Sequence, residues 1–453
     1  MNNIDKDIIY GLISIIKKNY YTTYLVLLSR KIEELIENIH SLQTIMNFFK
    51  PYIKITDKTR TNIKEYLMIP LITSRLSKNI TTLFHYSLIR KHTRYPYREL
   101  RYDEFQALND LQSNSKRLII IGKSLNIYPE IDIPLSIDNL YRHTMITGSS
   151  GSGKTTTAKK ILRSLIDNDF DGHIVVLDWH REYNKLKLNN SNIKYYTPGK
   201  PTNNNLSIPS VNCNVDIETS IQVIESTLQL TPPQSYLLIK IIEKLCKYRN
   251  TLTFLDILDA LEEERSNATI RSEIEITQAL YRKLYTITRG QGIFLFSNKN
   301  NLKNVLKSQT NETIIIDLST IVNKKLRIIY SLMIIKTIFE QKSLYNLDKP
   351  LIMILEETHN YVENNKLLDN IVSESRKYDL GFIIIEQSIS RLSNGVIANT
   401  TNKIFHTTIS PADLEKARQL LPHNYVNILP YLEVGEVVFM SEAFREPVIV
   451  KIT

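Results

Sequence analysis

Cysteine and glycine are scarce in this sequence of 453 residues. The two cysteines, Cys213 and Cys246, have neither the spacing of metal ligands nor the number that a disulfide framework requires. We therefore expect two unpaired thiols, as is usual in a reducing cytoplasm. With only 12 glycines in the chain, a glycine-rich motif that arises by accident is improbable.

Long apolar runs are also missing. Runs such as residues 24–28 are far shorter than the roughly 20 apolar residues that cross a bilayer as a helix. The first residues do not form a signal-peptide pattern. We therefore expect a cytoplasmic protein without a membrane span.

Acidic residues are fewer than basic ones. The chain has 57 Lys and Arg against 47 Asp and Glu, a formal net charge of +10, which weakly favours a polyanionic partner. Hydrophobic residues make up 42% of the sequence, which is enough for a large core. The length predicts roughly two to four domains.

The most informative segment is a complete phosphate-binding motif, G-x-x-x-x-G-K-[ST]. It consists of Gly148, Ser149, Ser150, Gly151, Ser152, Gly153, Lys154 and Thr155. A short apolar run precedes it, and Thr156 continues into a predicted helix whose N-terminus favours an anion. Backbone N–H groups of such a loop cradle phosphates, Lys154 reaches the β- and γ-phosphates, and Thr155 ligates Mg²⁺. The motif predicts that the chain binds a nucleoside triphosphate.

The chain divides near residue 113. Residues 1–113 show helical periodicity over 5–18 and 22–49 and almost no strand pattern, which predicts an all-α N-terminal module. The end of this region, residues 75–102, interleaves basic residues with tyrosines. Such a segment can neutralise phosphates and stack on bases. A solvated helix followed by an exposed linker explains it equally well.

Residues 114–453 alternate strands with helices, the pattern of an α/β domain with a mostly parallel sheet. Candidate strands cover residues 118–121, 143–147, 174–178, 313–318, 351–355, 381–386 and 403–407. Near-continuous apolar runs in several of them are typical of strands buried on both faces. Residues from about 216 to 300 have helical patterns and predict a helical subdomain inserted between two strands.

Two acidic residues follow one of the apolar strands. Glu356 and Glu357 come directly after residues 351–355, which is typical of a Walker B element downstream of a phosphate-binding loop. In this interpretation Glu356 holds the Mg²⁺ shell, and Glu357 orients and polarises the attacking water. Gln387, at the end of a neighbouring apolar strand, is placed to sense the γ-phosphate. A chance acid pair and an ordinary polar strand end are the alternatives.

Several ordered motifs resemble the HerA/FtsK superfamily over about residues 115–453. They are the phosphate-binding loop, an Asp-x-His-x-Glu-Tyr segment at 178–183, the strand at 313–318 with its long following helix, a double glutamate like that of archaeal members, and the tail at 399–405, 429–436 and 447–451. The resemblance implies a RecA-like ATPase core in a ring, expected to be a hexamer, that uses ATP and Mg²⁺ to translocate double-stranded DNA. A nuclease or other accessory protein is a candidate partner.

Two features depart from the family pattern. HerA begins with a small β-barrel, whereas residues 1–113 have helical patterns, which leaves open a viral, plasmid or conjugation motor. The family usually has arginine where His406 stands. Arg376, in a segment that resembles the family's Gly-Arg-Lys-Tyr stretch, is therefore the first candidate for an arginine finger that acts on a neighbouring subunit's nucleotide. Arg142 is the second candidate, and an ordinary exposed arginine is the alternative for Arg376.

The sequence thus predicts an ATPase in which water attacks the γ-phosphate in line. Lys154, Mg²⁺ and a neighbour's arginine would stabilise the developing charge. Two other classes of function stay open. One is a motor for protein export or pilus assembly, which the basic charge disfavours slightly. The other is a nucleotide switch without motor activity, which the presence of both Glu357 and Gln387 disfavours.

Overall fold

The computed structural model describes residues 8–17, 20–29, 95, 118–127, 131–185, 193–298, 301–345, 347–362 and 367–453. The chain separates into two compact units. The first comprises Met1–Arg101 with Ser124–Ile131, and the second comprises Tyr102–Lys123 with Asp132–Thr453. Apart from Tyr95, the basic stretch at 75–102 lies outside the described residues, as does the boundary predicted near residue 113.

In the first unit, two described segments form an antiparallel hairpin. Strand β1 (Ile8–Lys17) pairs with β2 (Tyr20–Ser29), and Lys17 lies opposite Tyr20. The helices predicted over residues 5–18 and from residue 22 are therefore wrong over these strands. Both segments are rich in isoleucine, tyrosine or threonine, and β-branched and aromatic residues favour extended backbone. The rest of the second predicted helix, residues 30–49, lies outside the described residues.

The other strands follow in chain order. They are β3 (Leu118–Ser124), β4 (Asp132–Ser136), β5 (Thr144–Thr147), β6 (His173–Asp178), β7 (Ile193–Tyr196), β8 (Val211–Asn212), β9 (Thr251–Leu252), β10 (Thr313–Asp317), β11 (Leu351–Leu355), β12 (Leu380–Glu386), β13 (Asn402–Phe405), β14 (Glu436–Met440) and β15 (Val448–Ile452). The α-helices of the described residues are α1 (Ile137–Leu140), α2 (Lys154–Asp167), α3 (Ile217–Leu228), α4 (Pro232–Cys246), α5 (Phe254–Asn267), α6 (Arg271–Thr288), α7 (Gln291–Leu295), α8 (Asn301–Leu306), α9 (Lys324–Ser343), α10 (His359–Val362), α11 (Leu367–Ser375), α12 (Asn394–Asn399), α13 (Pro411–Arg418) and α14 (His423–Val426).

One mixed sheet of 11 strands organises the second unit, in the order β4-β3-β15-β14-β13-β5-β12-β11-β6-β10-β7. Neighbours from β13 to β7 are parallel. The pairs β3–β4, β13–β14 and β14–β15 are antiparallel. Strands β5, β6, β10, β11 and β12 are buried along their whole length. The predicted α/β fold with a mostly parallel sheet is thus confirmed, and all seven candidate strands are present with small shifts at their ends.

Four strands of this sheet were not among the candidates: β4, β7, β14 and β15. Strands β4 and β7 lie at the two edges of the sheet. Pro134 in β4 and Lys194 in β7 interrupt the apolar pattern, and edge strands tolerate both residue types. For these two strands the edge position explains the weak pattern. Strands β14 and β15 lie inside the sheet and are mostly buried, so an edge position does not explain why they were missed.

The helices predicted between β6 and β10 are present as α3 to α6. Thr231 and Gln234 form a capping box at the start of α4, and this reciprocal bonding satisfies two free N–H groups of the first turn. The apolar face predicted for α5 is buried and includes Phe254, Ile257, Leu258 and Leu261. Among the described residues, no helix is both long enough and apolar enough to cross a membrane.

The two cysteines form a disulfide bond, so the expectation of unpaired thiols is wrong. Strand β8 pairs with β9, and the backbone N–H of Cys213 donates to the Asn250 carbonyl at 2.9 Å. Because Asn250 closely follows the end of α4, this pairing brings Cys246 next to Cys213, with their Cα atoms 5.3 Å apart. Cysteine spacing in the sequence does not reveal a contact that depends on two short strands.

The disulfide should stabilise the helical subdomain. It joins residues separated by 33 positions, and a cross-link of that span typically contributes about 2–4 kcal/mol to the free energy of unfolding. We expect dithiothreitol to lower that free energy in urea titrations by this amount. The double variant C213S/C246S should be insensitive to the reductant. Two free thiols in the untreated, urea-unfolded protein would contradict the bond.

Candidate active site

The predicted site residues, apart from the two candidate arginines, meet at the carboxyl ends of the parallel strands. In spatial order these strands are β13, β5, β12, β11, β6 and β10. Because the carboxyl ends of parallel strands share one edge of a sheet, residues far apart in sequence become neighbours there. The residues that end or follow these strands are His406, the phosphate-binding loop from Gly148, Glu386, Glu356, Asp178 and Asp317. Glu357 and Gln387 come directly after two of them.

The phosphate-binding loop needs glycine at two positions. Gly148 has a φ of +147°, and a Cβ there would lie 2.5 Å from the Cβ of His406. Gly153, with a φ of +106°, precedes the first residue of α2 in a conformation that strongly favours glycine. Lys154 then begins α2, and its buried ammonium donates to the Ser149 carbonyl at 2.8 Å. The loop thus surrounds a buried cation in front of a helix N-terminus, an arrangement that attracts phosphate.

The polar atoms of the loop fit a phosphate group. The hydroxyl of Ser152 is buried and has no hydrogen-bond partner among the described residues. A Cβ on Gly151 would meet no atom within 4 Å, so the tip of the loop is open. Ser150 and Thr156 are exposed, and Thr155 is half-buried. A bound phosphate would supply the acceptor that Ser152 lacks.

A second chain segment anchors the loop. His406 lies with Nδ1 2.9 Å from the Ser152 carbonyl oxygen and Nε2 3.0 Å from the Thr157 hydroxyl. Since a carbonyl only accepts, Nδ1 carries the proton and Nε2 accepts from Thr157. The N–H of Ser149 donates to the Thr407 carbonyl at 2.8 Å. Where the family usually has arginine, this chain has a neutral imidazole that holds the loop in place.

Glu357 is held by its neighbours in a left-handed backbone conformation, with a φ of +50°. Its Oε1 accepts a hydrogen bond from Gln387 Nε2 at 2.6 Å and lies 3.4 Å from His180 Nε2. Its Oε2 lies 3.4 Å from His359 Nδ1. Burial lowers the pKa of Lys154, and the negative charge of Glu357 acts in the opposite direction. The structure thus brings Glu357 and Gln387 into contact and places Glu357 close enough to act on Lys154.

Glu356 points into the protein instead. Its side chain is buried, and Oε2 accepts a hydrogen bond from the Trp179 N–H at 3.3 Å. Burial, and to a smaller extent the nearby charges of Asp178 and Glu182, raise the pKa of Glu356 to about 8. An ionised carboxylate in such surroundings needs a cation. Glu356 and Thr155 offer the carboxylate and hydroxyl oxygens that Mg²⁺ prefers, so the residues present fit this ion.

The Asp-x-His-x-Glu-Tyr segment forms a tight loop after β6. The carboxylate of Asp178 accepts hydrogen bonds from the N–H groups of Glu182 and Tyr183 at 2.9 and 3.0 Å. This loop projects His180 towards Glu357 and places the Glu182 carboxylate 3.6 Å from the Lys159 ammonium. The buried Asp178 therefore shapes the loop, and His180 at its tip borders the site.

The two candidate arginines lie at the amino ends of their strands, away from the carboxyl ends where the other site residues meet. Arg142 precedes β5 and forms an ion pair with Glu442. Arg376 belongs to a 3₁₀ turn, Arg376–Tyr378, before β12. It is exposed and has no ion pair among the described residues. At about 3.3 Å per residue, β5 spans about 13 Å and β12 about 23 Å, and Arg142 is paired with Glu442, so neither arginine contacts the nucleotide loop of its own chain.

Four histidine and glutamate residues of the site were not predicted as functional: His180, His359, Glu386 and His406. His180 and His359 occur within motifs that the sequence displays, two residues after Asp178 and after Glu357 respectively. Glu386 ends β12, just before Gln387. The available signal was position, because each residue lies within two positions of a strand end or of a predicted site residue.

The fold and this site together define a P-loop nucleotide-binding protein with a RecA-like sheet. Comparison with known proteins shows which families this chain resembles. The family model for the central domain of the helicase HerA matches residues 119–338. A probable helicase of Methanocaldococcus jannaschii is 22% identical over 346 residues, a match that covers 71% of this chain and 64% of that protein.

Two further relatives share one name with each other, which differs from that of the first relative. The DNA double-strand break repair helicase HerA of Saccharolobus solfataricus is 22% identical, with 79% of this chain and 72% of that protein covered. The corresponding protein of Pyrococcus furiosus is 23% identical, with 73% of this chain and 68% of that protein covered. The matches thus span about two thirds of the length of these relatives.

Solved structures support the same fold. The bacterial conjugative coupling protein TrwB superimposes with a TM-score of 0.58 and 11% identity, covering 79% of this chain and 94% of the other. VirB4 of Thermoanaerobacter pseudethanolicus gives a TM-score of 0.57 and 16% identity, covering 74% and 96%. At these identities the likeness concerns the fold alone. The family model and the sequence relatives show that the chain is similar to HerA, and the solved structures show that it shares the P-loop ATPase fold of TrwB and VirB4.

The buried imidazole under the loop predicts a pH dependence of stability. Burial lowers the pKa of His406 to about 4 from an ordinary value of 6.5. As the pH falls, His406 therefore takes up a proton in the unfolded chain before it does so in the folded protein. The contribution of His406 to the free energy of unfolding is complete above pH 6.5 and is lost as the pH falls towards 4. At its steepest this loss is about 1.4 kcal/mol per pH unit.

We therefore expect H406Q to reduce the pH dependence of the unfolding free energy between pH 4.5 and 6.5, measured by urea titration. His143, which has a similarly lowered pKa of about 4 through burial, remains in both proteins and cancels in the comparison. The exposed His423 gives a matched control, H423Q, with the wild-type slope. Equal slopes for wild type and H406Q would rule out this role of the buried imidazole.

Proposed function

We propose that this protein hydrolyses ATP and uses the energy to move double-stranded DNA through a ring of identical subunits. The observation that carries the first part is the hydrogen bond from Gln387 to Glu357, whose negative charge acts on Lys154 of the phosphate-binding loop. A loop that only bound nucleotide would not need a carboxylate held there by a side-chain amide.

The residues divide the work of hydrolysis. Loop N–H groups and Lys154 bind the phosphates and stabilise the charge that develops on them. Glu357 accepts the proton of the attacking water, and Gln387 orients the carboxylate that does so. Thr155 and Glu356 would hold Mg²⁺, which neutralises phosphate charge when bound.

Glu357 is the first residue to test. We expect E357Q to bind ATP with unchanged affinity and to hydrolyse it roughly a hundredfold more slowly, since the amide cannot accept a proton. K154A should lose both binding and turnover. Nucleotide affinity by calorimetry and steady-state phosphate release provide the two measurements. E415Q changes an exposed glutamate and serves as control. Near wild-type turnover by E357Q would move the base to another residue.

Three observations support a DNA motor. The three relatives described above are named as helicases, and two of these names refer to DNA double-strand break repair. The net charge of +10 suits a polyanion. The structural neighbour TrwB is a plasmid coupling protein, and one of its structures holds ADP and Mg²⁺. A hexamer, and a nuclease or other accessory partner, belong to the same proposal.

The DNA partner makes a direct prediction about the ATPase rate. On protein whose mass in solution has been measured, we expect double-stranded DNA to raise turnover severalfold, and the mass to be a multiple of the 52.7 kDa chain. A monomer whose ATP turnover does not change when DNA is added would contradict the proposed motor function. Stimulation by an unfolded polypeptide instead would favour a protein-export or pilus-assembly motor, and binding without turnover would favour a nucleotide switch.

The basic stretch at residues 75–102 can be tested in the same assay. If this stretch binds DNA, the logarithm of the DNA affinity falls linearly with the logarithm of the salt concentration, with a slope of about −0.9 per phosphate neutralised. Replacing Arg90, Lys91, Arg94 and Arg98 by Ala should then reduce the slope by roughly two to four units while DNA-free turnover is unchanged. An unchanged slope with altered assembly would make the stretch a linker or docking segment.

The exposed Arg376 is the better candidate for action on a neighbour's nucleotide, because Arg142 is paired with Glu442 within its own chain. We expect R376A to be nearly inactive alone and to inhibit wild-type protein more than in proportion to its fraction in mixed rings. R142A, measured in parallel, should show a smaller effect. A strictly linear decline in ATPase activity with the fraction of R376A would remove the role between subunits.

A further inference from the structure

Two residues next to Glu357 form a hydrogen-bonded pair. Glu386 is the last residue of β12, and His359 is the first residue of α10. His359 Nδ1 lies 3.1 and 3.0 Å from the two carboxylate oxygens of Glu386. The pair therefore joins the strand that carries Gln387 to the helix that follows Glu357.

Glu386 is a fixed acceptor. Its side chain is fully buried. Its Oε2 accepts the backbone N–H of His359 at 2.7 Å, and its Oε1 accepts the backbone N–H of Gln387 at 2.9 Å. A carboxylate that receives a backbone donor on each oxygen is held in one orientation.

The fixed carboxylate sets the orientation of the imidazole. An ionised carboxylate only accepts hydrogen bonds, so Nδ1 of His359 must carry a proton and donate it to Glu386. The second nitrogen of a histidine held in this way has a defined direction and protonation. Only about a fifth of the His359 side chain is exposed, at 22%, so its ring is confined.

The same nitrogen of His359 faces the proposed base. It lies 3.4 Å from Oε2 of Glu357, while Oε1 of that residue accepts from Gln387 at 2.6 Å. One oxygen is thus held by the amide and the other is bordered by the Nδ1–H edge of the imidazole. The contact with the imidazole is not a hydrogen bond, because the Nδ1 proton is donated to Glu386. The ring nevertheless borders Oε2 while the amide holds Oε1, so the two neighbours together limit rotation of the carboxylate.

We propose that Glu386 and His359 position Glu357 for attack of water, with Glu386 orienting His359 and His359 restraining Oε2 of Glu357. Both are positioning residues and act through Glu357. The inference rests on the proposed ATP hydrolysis and adds to it a pair that sets the geometry of the base.

The same three side chains have the composition of a cation site, since Glu357, His359 and Glu386 offer ligand atoms within 4.8 Å of one another. Hydrogen bonds account for this spacing without an ion. Both oxygens of Glu386 already receive backbone donors, and a metal on Nδ1 would displace the proton that joins His359 to Glu386. The donor arrangement therefore favours a hydrogen-bonded pair.

Substitutions of His359 separate the positioning role from a merely structural one. Asparagine places its amide N–H near the position of Nδ1, whereas alanine places nothing there. We expect H359A to lower kcat for ATP about tenfold or more, as misplaced catalytic groups do, with little change in KM. H359N should recover most of the loss. Thermal unfolding of both variants checks that they fold.

The chain provides a matched control. The tetrapeptide His-Asn-Tyr-Val occurs at α10 and again at α14, where His423 is exposed. H423A changes the same residue in the same local sequence, away from the site, and should retain wild-type kcat and KM. E386Q, which replaces the fixed acceptor, should lower kcat as H359A does, and the double variant H359A/E386Q should be no slower than either alone.

The E357Q background gives the decisive comparison. A residue that acts through the Glu357 carboxylate has no further effect once that carboxylate is gone, so H359A should not slow E357Q. Wild-type kcat for H359A, no recovery in H359N, or an equal loss in the E357Q background would each overturn the positioning role. If E357Q itself turns over normally, the assignment of Glu357 fails and this inference fails with it.

Discussion

Parallel pairing of the central strands is the constraint on which the site depends. It aligns the carboxyl ends of β5, β12, β11 and β6 along one edge. Lys154 and Glu357, which are separated by about 200 positions, therefore lie close enough for the charge of Glu357 to act on Lys154. The apolar side chains that bury these strands on both faces hold this edge in place. A shift of one strand would move its terminal residue away from its partners.

The edge that this pairing creates is rich in carboxyl groups. Glu356, Asp178 and Glu386 are buried there, and burial raises the pKa of Glu356 to about 8. Backbone donors satisfy Asp178 and Glu386, and Glu356 accepts the Trp179 N–H. A bound divalent cation would favour the ionised form of Glu356, and the ammonium of Lys154 lies where the charges of Glu357 and Glu386 act on it. The electrostatics and the loop geometry therefore point to the same ligand, a nucleotide with its metal ion.

Sequence patterns predicted the parts of this structure that follow local rules. The phosphate-binding loop needs glycine at Gly148 and Gly153, and its residues are contiguous, so it is visible in sequence. Buried strands such as β11 are visible because they are uniformly apolar. The N-terminal hairpin was missed because isoleucines at helical spacing also suit a strand. The disulfide and the pair Glu386–His359 join residues distant in sequence, which no local pattern relates.

A crystal structure with Mg²⁺ and a non-hydrolysable ATP analogue would test the central claim most directly. The account predicts the γ-phosphate within hydrogen-bond distance of Lys154 Nζ. It also predicts a water between that phosphate and the Glu357 carboxylate, with Gln387 and His359 still on its two oxygens. A triphosphate bound in the loop while the Glu357 carboxylate faces away, with no water between them, would contradict the account.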